Sequence, residues 1–165
     1  NYRMTEMQAV IGIDQLKSLD KQIKKRNFIA KLYIKGLKNY YQKYNFLKKP
    51  NFKCQTCPLK KDVKNCNKCI HAFYRLNLFI DNNKINQIKL IEQFNENKIE
   101  CSVGSCPEIY KERIFRKLKL TPKKGLQNAK LLGKTSIMFP INLDKPLKKI
   151  ELEISNIKKI LKKYI

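Results

Sequence analysis

The opening of the chain constrains it most. Thr5 is followed three residues later by Gln8, the spacing at which each side chain satisfies the other residue's unpaired backbone N–H and starts a helix. Beyond it Ala9, Ile13, Leu16, Leu19 and Ile23, then Phe28, Leu32 and Leu37, recur at three- to five-residue steps with Lys and Asp filling the gaps. That period predicts a helix burying one face. It runs to about Tyr44, longer than an average helix, so a kink or two successive helices are expected, with Gly36 the weak spot. A helix of this length ahead of a small domain is expected to pack against something else.

Residues 45–70 break the pattern. Pro50, Pro58 and four cysteines in a lysine-rich context read as an irregular excursion. The run AFYRLNLFID then alternates apolar and polar residues from Ala72 to Asp81, which predicts a strand closed by the turn residues Asp81, Asn82 and Asn83. Ile85, Ile88, Ile91 and Phe94 predict a helix ended by Asn95 to Asn97, and Ile99 to Val103 predicts a second strand entering Gly104. Pro107 to Leu118 reads as a loop and short helix, Leu126 to Leu132 as a helix stopped by Gly133, and Ser136 to Ile141 as a third strand. Leu147 to Leu161 closes the chain as a helix with Ile150, Ile154, Ile157 and Leu161 on one side. The expected fold class is α/β: a long helix, then a small α+β domain with a mostly antiparallel three-stranded sheet. The expected organisation is a linking helix over 1–44, a Cys-rich insertion over 45–70 and a small domain over 71–165.

With 165 residues and 42% hydrophobic content the chain can hold one domain with a modest core. No stretch reaches the ~18–20 apolar residues of a membrane span, and nothing at the N-terminus resembles a signal peptide. A cytoplasmic location is the default expectation. Lys and Arg outnumber Asp and Glu by 37 to 13, a formal charge of +24, which brings nucleic acid into consideration. The basic residues are mostly Lys spread through nearly every segment, however, whereas a nucleic-acid site concentrates Arg with aromatics on one face. A lysine-biased composition with solvated helix faces is the favoured reading.

Cys54, Cys57, Cys66 and Cys69 form C-x2-C-x8-C-x2-C, a spacing that presents four thiolates to one Zn2+. Such a site would be structural, since four thiolates leave no open position for substrate. The short separation and the lysine-rich filling leave free thiols or a redox pair as alternatives. His71 is a spare ligand or a packed, hydrogen-bonded residue. Cys101, in a strand, reads as core, and Cys106 beside Pro107 reads as a loop position. One His in the chain gives little support to a Cys-His or Ser-His nucleophile. Glu108 and Tyr110 follow the Val103-Gly104-Ser105 turn, where a strand ends and side chains often face ligands. The alternative is a carboxylate capping the next helix and a packed Tyr.

Several separated segments share one resemblance. NYRMTEMQAVIGIDQLKSLD resembles the segment after the cofactor-binding lysine region in the DegT/DnrJ/EryC1/StrS aminotransferases, which act on nucleotide-linked keto-sugars. HAFYRLNLFID resembles that family's first small-domain strand. NKIECSVGSCPEIYKERIF resembles a branch in which Gly-Ser-Cys replaces the commoner Val-His-Tyr loop, and LLGKTSIMFPINLDKPLKKIE resembles the final strand and helix. The resemblance implies the C-terminal part of a fold-type-I transferase that uses pyridoxal 5'-phosphate and an amino-acid donor, and that works as a homodimer.

It further implies that Asn1 lies near the cofactor phosphate of the other subunit and Arg3 near phosphate or substrate, a fitting use of an amide and a guanidinium. The altered Gly104 loop makes Ser105, Glu108 and Tyr110 the candidates for substrate contact. No lysine here stands in the family's S-F-x-x-x-K context, so no catalytic residue is assigned and the chain alone is expected to be inactive. The competing readings are a basic zinc-knuckle module for nucleic acid and a non-catalytic regulatory member of the same family.

Overall fold

The computed structural model describes residues 3–42, 47–48, 70–104 and 107–164. Helix α1 (Glu6–Gly36) starts at the expected cap: the Gln8 N–H donates to Thr5 Oγ1 at 3.3 Å and the Thr5 N–H to Gln8 Oε1 at 3.0 Å. Such a cap contributes about 1 kcal/mol. The expected break falls at Gly36, and a short α2 (Lys38–Gln42) continues the path.

The apolar stripe of α1 divides into two parts. Ile29, Ala30, Tyr33 and Leu37 are buried, but Ile13, Leu16, Leu19 and Phe28, which the period assigns to a buried face, are exposed. Leu16 is 67% accessible and Leu37 0%. The reason is length: 31 residues extend for about 46 Å at 1.5 Å per residue, and among the described residues the buried positions of α1 fall only in its last third. Burial of one Leu or Ile contributes roughly 1.5–3 kcal/mol, so only that end of α1 is held by packing among the described residues.

Strands β1 (Leu47–Lys48), β2 (Arg75–Ile80), β3 (Ser102–Val103) and β4 (Ser136–Pro140) form one sheet in the order β1-β2-β4-β3, with every neighbouring pair antiparallel. The three expected strands are therefore joined by a two-residue edge strand from the excursion. Since β4 opposes both β2 and β3, those two run parallel to each other with β4 between them. The β2 alternation places Leu76, Leu78 and Ile80 inward beside Ile137 and Phe139 of β4.

Helix α3 (Gln87–Glu96) and helix α6 (Leu147–Leu161) join the end of α1 in covering that face. In α3 the buried residues are Leu90, Ile91 and Phe94, while Ile88 is exposed, so the buried face is turned from the one expected. In α6 the expected Ile150, Ile154, Ile157 and Leu161 are all buried. Cys101 is core as expected, 6% exposed, and burial pushes its thiol up to about 12.

Glu153 is buried on the same α6 face. Its carboxylate accepts a 2.6 Å bond from the Tyr33 hydroxyl of α1 and faces Lys145 Nζ at 2.7 Å and 2.9 Å. Burial, reinforced by the bond to Glu153, raises the Tyr33 pKa far above the usual phenol range, so the hydroxyl stays a donor. No helix among the described residues is long and apolar enough to cross a membrane.

Candidate functional site

The segment after β3 builds a cleft. Past Gly104 the described chain resumes at Pro107, makes a 3-10 turn over Ile109–Lys111, and continues into α4 (Arg113–Lys117). It then returns through Thr121 and a turn in which the Gly125 N–H donates to Pro122 O at 3.2 Å, before α5 (Gln127–Thr135) begins. Gly133 was expected to stop α5 but lies inside it. Its reason is contact: Pro107 Cγ sits 2.5 Å from where a Cβ would be, so only Gly lets the start of the loop rest on the helix.

Tyr110 ties these pieces together. Its buried side chain donates from Oη to Glu108 Oε1 at 2.6 Å and accepts from the Leu126 N–H at 3.0 Å. Its carbonyl accepts from Thr121 Oγ1 at 2.9 Å. Gly125, at φ +66°, lies within 3.4 Å of the same hydroxyl, in the left-handed region where a side chain would be strained. Glu108 Oε1 also meets Lys111 Nζ at 2.9 Å. The bonds from Tyr110 and Lys111 hold the Glu108 carboxyl below its usual range, with Lys130 adding attraction, and the bond to Glu108 raises Lys111.

The resulting cleft is open to solvent and has a volume of about 380 Å3. Lys111, Arg116, Lys123, Lys124 and Lys130 line it against the single carboxylate of Glu108. Of these cations only Lys111 has a carboxylate partner among the described residues. The arrangement favours anions.

Two of the expected site residues, Glu108 and Tyr110, thus come together. Arg3 is exposed beyond the start of α1 and does not line the cleft. Asn1, Ser105 and Cys106 lie outside the described residues, as do the candidate zinc ligands Cys54, Cys57, Cys66 and Cys69. His71 is hydrogen-bonded: its Nδ1 accepts from the Phe73 N–H at 2.9 Å, and its carbonyl accepts from Asn27 of α1 at 2.7 Å. Among the described residues no group of three or more His, Cys, Asp or Glu is placed to hold a metal. Sequence reasoning missed Arg116, Lys123, Lys124 and Lys130. The available signal was four cations flanking the turn-forming Pro122 and Gly125, diluted by lysines elsewhere.

Comparison with known proteins decides the family. The family profile described as DegT/DnrJ/EryC1/StrS aminotransferase matches residues 1–151, and so spans the long helix, the sheet and the cleft. The chain belongs to this family. An uncharacterised protein of Methanocaldococcus jannaschii is 33% identical over 142 residues, 85% of this chain and 32% of that protein. Among solved structures, an aminotransferase from Psychrobacter cryohalolentis superposes with a TM-score of 0.80 at 25% identity, over 99% of this chain and 40% of that one.

Helicobacter pylori PseC, an aminotransferase involved in the biosynthesis of pseudoaminic acid, gives 0.73 at 19% identity, over 99% and 39%. The chain therefore spans about a third to two fifths of the length of the family members it matches. The long helix and small antiparallel sheet are a part of the aminotransferase fold.

Proposed function

We propose that the chain is the C-terminal, substrate-side portion of a transferase that moves an amino group from an amino acid to a nucleotide-linked keto-sugar. The observation that carries this reading is the cationic cleft built on Tyr110, within the region matched to a family of aminotransferases. A nucleotide-linked sugar carries phosphates, and a cleft with five cations and one engaged carboxylate suits them. In this reading residues 1–44 link to a larger domain, 45–70 are an insertion stapled by zinc through Cys54, Cys57, Cys66 and Cys69, and 71–165 are the small domain. Ser105, Glu108 and Tyr110 form the wall facing the substrate. The protein works in the cytoplasm as a homodimer.

Pyridoxal phosphate, when bound, supplies the electron sink that lets nitrogen leave one carbon and join another. This chain fits only the phosphate end of that cofactor. Arg3 is an exposed guanidinium at the head of α1, and with Asn1 it offers donors to a phosphate across the dimer. No lysine in the S-F-x-x-x-K context is present to hold the ring. The role of these residues is binding and orientation.

The test uses the natural protein at full length, loaded with pyridoxal phosphate. Adding glutamate should release 2-oxoglutarate in amounts matching the cofactor and bleach its visible absorbance. A protein that binds the cofactor and releases no keto acid from any common amino-acid donor contradicts the reading.

A further inference from the structure

We infer that the lobe from Ile109 to Lys134 is a membrane-contact surface, on which the protein rests against an anionic lipid bilayer without crossing it. The inference is independent of the transferase reading and uses cations other than those that line the cleft.

The lobe exposes a group of aliphatic side chains. Ile109, Ile114, Leu118, Leu120, Leu131 and Leu132 all face solvent, Leu118 at 58% and Leu120 at 63% exposure. Single exposed residues of this kind are ordinary, but a group of them marks a surface for a protein or a membrane. Helix α4 buries none of its five residues, and its main contact is the neighbouring 3-10 turn. Ile114 and Leu118 stand one turn apart, the Leu118 N–H donating to Ile114 O at 3.0 Å, and the Leu120 N–H turns back to Phe115 O at 2.9 Å. These side chains are therefore carried on a short outlying helix.

Cations are interleaved with them. Arg113, Lys117, Lys119 and Lys134 are exposed and stand outside the cleft. From Arg113 to Leu120 the order is R-I-F-R-K-L-K-L, and Glu112 is the one acidic residue between Ile109 and Lys134.

This mixture chooses the occupant. The cores of protein interfaces are depleted in charged residues, Lys among them. A bilayer rewards the opposite: aliphatic side chains enter the acyl boundary, while Lys and Arg bury their stems and keep their charges among anionic headgroups. The other exposed apolar face of the chain shows the contrast. The groove along α1 is lined by apolar residues such as Met4, Ile13, Leu16 and Leu19, and no charged side chain lines it among the described residues. That face suits a dry contact with more polypeptide, and the lobe does not. Nucleic acid would engage the cations but leave Ile114, Leu118 and Leu120 idle, because bases stack on aromatic rings and guanidinium planes.

The test is sedimentation of the natural full-length protein with vesicles of phosphatidylcholine, alone or with about 30% phosphatidylglycerol, at low and high salt. Binding to the anionic vesicles, weakened by salt, and little binding to the neutral ones is the expected result. Ile114→Ser/Leu118→Ser/Leu120→Ser and Arg113→Gln/Lys117→Gln/Lys119→Gln should each weaken that binding about tenfold or more. Lys148→Gln/Lys149→Gln/Lys159→Gln removes the same charge from exposed positions of α6 and should leave it within about twofold.

All nine positions are exposed, so every variant should keep the parent's denaturation midpoint. No binding by the natural protein overturns the inference, as do equal losses in the two charge variants, which would reflect net charge alone. Full binding by the serine variant overturns it as well, leaving a purely electrostatic surface of the kind nucleic acid uses. A lowered midpoint in the serine variant would show that the rest of the natural protein already covers the lobe, with the same consequence.

Discussion

Among the described residues the same three residue types meet twice. Glu153 receives the hydroxyl of Tyr33 and the ammonium of Lys145; Glu108 receives the hydroxyl of Tyr110 and the ammonium of Lys111. The first trio is buried between α1 and α6 and joins elements more than a hundred residues apart in the chain, as Tyr33 and Glu153 are 120 positions apart. The second sits at the rim of an open cleft and joins positions two and three apart. Burial turns the first into a clamp that must remain complete, because a lone charge left in the core is costly. Solvent makes the second a local brace, screened and replaceable. The contrast separates a group that holds the fold from one that arranges a surface.

That contrast is open to direct attack, beginning with its largest element. Glu153→Ala should cost about 3–5 kcal/mol in urea denaturation of the full chain, because it strands Lys145 beside the core. Glu153→Leu with Lys145→Leu should recover most of that loss, and a double variant as damaged as the single one would show that packing, not stranded charge, was at issue. The two tyrosines come next. Tyr33→Phe should cost about 1.5–3 kcal/mol, as expected for a buried hydrogen bond to a charged acceptor, and Tyr110→Phe only about 1 kcal/mol. The reverse order would remove the distinction between clamp and brace.

The smallest effect is on pH. The folded Glu108 pKa is depressed, so its contribution is present above the ordinary carboxylate range and is lost as pH falls through the folded value. Lys111 is raised, so its share is present below the ordinary lysine range and is lost as pH rises through the folded value. The parent chain and Glu108→Gln should therefore differ in denaturation midpoint at neutral pH and converge in acid. A difference that widens in acid contradicts the assignment.

Much of the fold was legible in the sequence, and the failures have physical causes. The helix over Leu147–Leu161 was readable to its ends because Ile150, Ile154, Ile157 and Leu161 repeat cleanly. The Thr5 cap was readable because both partners are within four residues. Which end of the long helix is buried was not readable, since periodicity reports a face and not what lies opposite. Gly133 was misread as a stop because its requirement, contact with Pro107, is tertiary. Glu153 was overlooked although it interrupts the apolar face of α6, a sign that a buried partner exists. At the site, Glu108 and Tyr110 were found from their position after a strand. Their mutual bond was not, because it depends on how the 3-10 turn between them folds.

The most direct test of the transferase assignment is the fate of the donor nitrogen. The natural full-length protein, with pyridoxal phosphate and isotopically labelled glutamate, is offered a panel of nucleotide-linked keto-sugars and the products are weighed by mass spectrometry. Labelled nitrogen on a nucleotide-linked sugar is the expected result. Label remaining wholly in glutamate across the panel, from protein with its cofactor bound, would contradict it.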